Sequence, residues 1–329
     1  MKKSLKVLII VSSIVVVLFS AVMIYYFGAS YPLYEKYVNE EFKIPGLNDG
    51  FTPQGFDYND VSESYLISGY MKDESASRIY IVKNEDVKFV TLTVDGKDFT
   101  GHMGGITSYG NCVWISSEKK VYRFDLNNVI MAKNGDKVNV IDYFETNNGA
   151  DSILAKDGML WVGEFYKKGK YDTESSHHIL TKSGETNYAI TFCYEINENE
   201  EYGIKSTTPI KGISTPSQVQ GMEILDDGKI VFSTSYSIPS SHLLIYKSIL
   251  QIEHVEDVLI DGNSIPVYVL SSSDLVCDIK APSMSEEIVL KDNKLFILYE
   301  SASKKYKLVN RTRIDKVHVL DIKAIIDSL

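Results

Sequence analysis

The sequence predicts an all-β fold: a β-propeller, five blades in count, behind an amino-terminal transmembrane helix. Three observations predict it. A hairpin unit recurs five times between residues 53 and 300. Aromatic residues reach 11%, with 22 Tyr against 2 Trp, and tyrosine suits strands because it buries a ring while keeping its hydroxyl wet. The run 7–27, VLIIVSSIVVVLFSAVMIYYF, carries no charge, and a helix of that length crosses about 30 Å of hydrocarbon.

The amino terminus comes first. Lys2, Lys3 and Lys6 precede the apolar run, while Glu35, Lys36, Glu40 and Glu41 follow it. The positive-inside rule then leaves residues 1–6 as a cytoplasmic tail and places the rest outside, with the protein in the cell membrane as a single-pass chain. A cleavable signal peptide has a shorter apolar core followed by small residues, whereas this run continues into Met23, Tyr25, Tyr26 and Phe27, which favours an uncleaved anchor. Cleavage stays open as the alternative, and either route exports the large domain. Residues 28–40 read as a stalk, with a short helix over 31–40.

The repeat sets the fold. Its five copies are PQGFDYNDVSESYLISGY (53–70), MGGITSYGNCVWISSE (103–118), ADSILAKDGMLWVGEF (150–165), VQGMEILDDGKIVFSTS (219–235) and SEEIVLKDNKLFILYE (285–300). Each is two alternating strands about a turn such as YGN, KDG, DDG or KDN, where Gly or Asn supplies positive φ. A third strand follows each copy: SRIYIV, KVYRFDL, NYAITFCYEI, HLLIYKSI and KVHVLDI. Four copies gain a fourth: VKFVTLTV, VNVIDYF, TPIKGI and DLVCDIKA. Four antiparallel strands, radially repeated, make a propeller blade. Two insertions lengthen the spacing, a polar loop at 167–186 and an extra hairpin at 255–270 turning on Asp261-Gly262-Asn263. The fifth copy lacks an outer strand, and residues 41–47 are expected to supply it, closing the domain 41–329 and removing an open edge. Six blades would need a hidden repeat within 166–218 or 238–283.

Charge and cysteines exclude several classes. The net charge is −10, and −13 once the three leading lysines are set aside, so the domain repels phosphate backbones and no nucleic-acid partner is expected. The basic run Lys304, Lys305, Lys307, Arg311, Arg313 and Lys316 reads as a solvated strand–loop face. Cys112, Cys193 and Cys277 are odd in number, widely spaced and set in apolar stretches, which predicts buried free thiols and no disulfide staple or structural zinc. An exported domain without paired cysteines suits a bacterium.

The most regular copy, QVQGMEILDDGKIVFSTSYS, resembles the blade unit of the strictosidine synthase and SMP-30/gluconolactonase propellers. The resemblance covers the repeat and not the whole chain. It implies a divalent cation such as calcium in the central channel, held by acidic residues and Asn, and sugar-lactone chemistry there. At the corresponding positions this chain has Gln54 and Gln220, and no Asn ends a second strand.

In a propeller the inner-strand starts and second-strand ends meet at one mouth of the channel. The starts contribute Gln54, His102, Asp151, Gln220 and Glu286; the ends contribute Tyr70, Glu118, Glu164, Tyr236 and Glu300. Five carboxylates at one mouth either raise one another's pKa, as acid–base work needs, or bind a cation, for which Asp151 and Glu286 are the candidates. The insertion 167–186 carries His177-His178 and is expected to cover this mouth. No GxSxG, GxGxxG, GxxxxGK[ST] or HExxH pattern occurs. Two functions follow: a membrane-anchored extracytoplasmic propeller binding a small molecule, glycan or protein at the acidic mouth, or a hydrolase acting on a sugar or lactone, metal-dependent or not.

Overall fold

Tight turns set the frame. Asp157-Gly158, Asp261-Gly262 and Asp292-Asn293 all have positive φ at both positions, the geometry whose twist matches that of the strands it joins. These turns belong to a computed structural model that describes residues 2–329, except for the side chains of residues 2–5, 8, 21 and 24–27.

Five antiparallel blades form. Blade 1 holds Phe51–Asn59, Ser64–Met71, Arg78–Lys83 and Asp86–Val94; blade 2 holds Gly105–Tyr109, Cys112–Ser117, Lys120–Asp125 and Asp142–Glu145. Blade 3 runs Ser152–Lys156, Met159–Gly163, Ala189–Glu195 and Lys211–Thr215; blade 4 runs Val219–Ile224, Lys229–Thr234, Ser241–Ser248 and Leu275–Ala281. Blade 5 contains Ser285–Lys291, Lys294–Tyr299 and Lys316–Leu320, and its outer strand is Val38–Lys43. Each inner strand touches the next, and blade 5 touches blade 1, so the ring is closed.

Two boundaries differ from expectation. The closing strand pairs antiparallel with the last blade from Val38↔Leu320 to Lys43↔Lys316, so it begins three residues before the expected segment 41–47. Residues 138–144 are not one strand: Lys137–Asn139 runs parallel to the outer strand of blade 1, and only Asp142–Glu145 completes blade 2. Val138 is buried in the cluster between blades 1 and 2 while Phe144 is buried in the cluster between blades 2 and 3, so burial on opposite sides of blade 2 splits the segment. The extra hairpin, Val255–Ile260 with Asn263–Val269, lies parallel against the outer strand of blade 3.

Alternation places successive side chains on opposite faces of a blade, and each face meets a neighbour. One apolar cluster accordingly fills each gap between blades, for example Trp114, Phe192 and Tyr194 between blades 2 and 3. The three cysteines are free and buried. At the axis the inner strands come too close for side chains: a Cβ on Gly104 would lie 2.3 Å from the Asp151 carbonyl oxygen, and one on Gly221 would lie 2.7 Å from the Cα of Glu287.

The segment before the closing strand is docked. Pro32–Tyr37 is a short helix, and Tyr31 and Tyr34 are buried in the cluster between blades 4 and 5 together with Ile322 and Ile325 of the final helix. The apolar run forms a helix over Lys2–Phe27. Among the described residues no helix is long and apolar enough to cross a membrane; the side chains of Leu8, Ala21 and residues 24–27 of the expected span lie outside them.

Candidate functional site

Ladder irregularities shape the site. In blades 1, 4 and 5 the first inner-strand residues interrupt the pairing register, between Pro53 and Gly55, between Val219 and Gly221, and between Ser285 and Ile288. The unpaired positions are Gln54, Gln220 and the pair Glu286-Glu287. A bulge of this kind re-aims a side chain that strict alternation would turn into a blade interface.

A cavity of about 590 Å³ opens at this end of the channel. Of the expected residues, Gln54, His102, Asp151, Gln220, Tyr236, Glu300 and Glu118 line it, and Lys170 and Tyr171 of the insertion reach it. Phe165, Met284 and Tyr306 also line it. Phe165 meets Tyr171 edge-on with centroids 5.6 Å apart, and Lys170 donates to the Tyr236 hydroxyl at 3.0 Å, tying the insertion to blade 4. Tyr70 stands beside it, its ring 4.9 Å from that of His102 and its hydroxyl accepting from Lys305 Nζ at 2.6 Å.

Carboxyl groups form the floor. Glu286 and Glu300 are buried and hydrogen-bonded to each other, and the Gln54 amide donates to Glu300 Oε2 at 3.0 Å. Burial pushes Glu300 up to about 7, against the pull of Lys305. Burial and the neighbouring Glu300 hold Glu286 well above the carboxylate range. Two acids so placed oppose each other's ionisation. Asp151 accepts from the Phe165 N–H at 2.7 Å, and burial pushes it up to about 6.

Three expected residues sit differently. Glu286 lies behind Glu300 and is not among the lining residues. Glu164 is buried and turned from the cavity, where its Oε1 meets His177 Nδ1 at 2.8 Å and accepts from the Ile190 N–H at 2.9 Å. His177 of the insertion is not a surface histidine but is buried at 2% exposure, while His178 is exposed. The dyad fastens the insertion to blade 3; an acid ending a second strand and a histidine in the loop that leaves it were its only trace in the sequence.

The calcium expectation does not fit the donors present. Asp151 is engaged by backbone and Glu286 by Glu300, and no group of three or more His, Cys, Asp or Glu among the described residues is placed to hold a metal ion. A further buried acid, Glu287, has no place in the sequence reading of the mouth. Its Oε2 accepts from the N–H groups of Phe56, at 2.6 Å, and Ile106, at 3.0 Å, linking blade 5 to blades 1 and 2. Burial holds it well above the carboxylate range.

No protein-family model matches the chain, and no curated protein matches it. Similar solved structures include the PQQ-bound aldose sugar dehydrogenase of Streptomyces coelicolor, 13% identical over 80% of this chain and 78% of that one, with a TM-score of 0.44. A putative oxidoreductase (glucose dehydrogenase) of Thermus thermophilus is 11% identical over 86% and 98%, also at 0.44. A gluconolactonase of Xanthomonas campestris is 8% identical over 82% and 86%, at 0.36. The count of five blades rests on the strand pairing of this chain itself.

Proposed function

We propose that the chain is a membrane-anchored extracytoplasmic propeller that binds a small neutral polyol, such as a mono- or disaccharide, in the cavity at the channel mouth. The observation that carries this reading is the lining: the Glu300 carboxyl, raised to about 7 by burial, and the carboxamides of Gln54 and Gln220 share one cavity with the rings of Phe165, Tyr171, Tyr236 and Tyr306. Half-protonated acids and amides both donate and accept hydrogen bonds, as vicinal hydroxyls require. Aromatic faces cover the apolar C–H side of such a ligand. The volume falls within the usual range for small-molecule sites, roughly 300–1,000 Å³. The anchor reading is supported by the uncharged run 7–27 and the lysines before it.

Calorimetric titration of the full chain in nanodiscs against a panel of mono- and disaccharides tests the ligand class. Binding that is lost in both Gln54→Ala and Tyr236→Ala is expected. A panel without a binder, or a binder indifferent to both changes, removes the proposal. For the anchor, protease added to intact cells is expected to degrade the propeller; degradation only after lysis would reverse the orientation.

A hydrolase is the second reading, favoured by one observation: Asp151 and Glu300 face one cavity and both titrate near neutrality, as an acid–base pair requires. Turnover of aryl glycosides or sugar lactones, abolished by Asp151→Asn, would establish it over simple binding.

A further inference from the structure

The loop joining the second and third strands of blade 5 presents adjacent apolar side chains at its tip. Leu308 is 80% exposed and Val309 55% exposed, with exposed Lys304, Lys305 and Arg313 in the same loop. The loop is braced. Buried Asn310 accepts through Oδ1 from the Ser283 hydroxyl and the Thr312 N–H, and Ser301 Oγ accepts from the Ile314 N–H. An ordered loop that holds aliphatic groups in water among cations has the chemistry of a bilayer interface.

Its place in the fold is the second observation. Tyr31 follows the apolar run by four residues, and its hydroxyl accepts from Arg311 at 2.9 Å while lying 3.5 Å from Ser240 Oγ. Arg311 belongs to the same blade 5 loop that sends Glu300 and Tyr306 into the cavity. Ser240 belongs to the blade 4 loop that sends in Tyr236 and Ser237. Ala29 already packs on the cluster between these blades, so two residue steps, about 7 Å of chain, separate the docked domain from Phe27. The chain therefore enters the propeller on its cavity face.

From these two observations we infer that the cavity face lies against the bilayer, seated on it through Lys304–Arg313, so that ligand enters through the gap between propeller and membrane. This inference rests on the proposed anchor. The charge of the loop agrees with it: Lys304, Lys305 and Arg313 are exposed and are drawn to anionic headgroups within a Debye length of the surface.

The test uses the full chain in nanodiscs of phosphatidylcholine and phosphatidylglycerol. Val16→Cys, Leu308→Cys and Val61→Cys are each labelled with a fluorophore; the native cysteines are buried and stay unlabelled in the folded protein. Val61 is 80% exposed in the first hairpin turn of blade 1, at the opposite end of the channel. Lipid carrying a spin label on its acyl chain is expected to quench positions 16 and 308 several-fold more than position 61. Quenching at 16 with 308 no higher than 61 leaves the anchor standing and overturns the seating. Absence of quenching at 16 overturns the anchor and, with it, this inference.

Discussion

The Tyr34 hydroxyl lies 2.8 Å from the Tyr299 hydroxyl and 2.8 Å from His318 Nδ1, in a buried setting that joins the segment before the closing strand to two strands of the last blade. Burial lifts both phenols above their ordinary range, so they stay neutral and trade hydrogen bonds. Tyr34→Phe keeps the ring and strands two partners. The expected loss is about 1–3 kcal/mol of stability, read by chemical denaturation. An unchanged midpoint would show that the network contributes nothing to closure.

Stability should depend on pH through the cavity floor. Glu286 and Glu300 are raised by burial, Glu300 to about 7, and Asp151 to about 6. Unfolded carboxyls titrate near 4, so folding takes up protons between those limits. The contribution is fully present at the acid end of this window and is lost as pH rises through about 7. Melting temperature is therefore expected to fall between about pH 5 and pH 8, and Glu300→Gln should flatten the profile. A wild-type profile that rises across this interval contradicts the assignment.

His177→Ala leaves the Glu164 carboxylate buried with only the Ile190 N–H. Leaving a buried polar group without one of its hydrogen-bond partners costs about 1–3 kcal/mol. Because the pair fastens the insertion, limited proteolysis should cut within 167–186 faster than in wild type. Loss of stability without faster cleavage there would mean that the loop is held by other contacts, such as Lys170 on Tyr236.

Glu287 separates acid from shape. Since burial favours its neutral form, Glu287→Gln presents a near isostere whose oxygen still accepts from Phe56 and Ile106. It should cost less than about 1 kcal/mol at neutral pH, while Glu287→Ala should cost about 2–4 kcal/mol for lost bonds and a void. Equal losses from both would assign the ionised carboxylate a role of its own.

The blade count, the hairpins at Asp157-Gly158 and Asp292-Asn293, and a closing strand ahead of the first repeat were legible in the linear chain. Each depends on near neighbours: a two-residue period and turn residues that tolerate positive φ. The mouth as a region was legible as well, because strand polarity alone brings Gln54, Asp151, Gln220 and Glu300 to one end. Which acid faces the cavity was decided by the tertiary structure. Glu286 and Glu287 are adjacent, and a bulge after Ser285 sends one to Glu300 and the other to the backbone of blades 1 and 2. Glu164 found His177 rather than ligand through a loop that doubles back, and residues 138–144 divided between two blades according to where each end found apolar cover. The reason is common to all three: alternation and turn chemistry act within a few residues, while bulges, loop docking and burial are set by groups from distant parts of the chain that meet only in the folded ring.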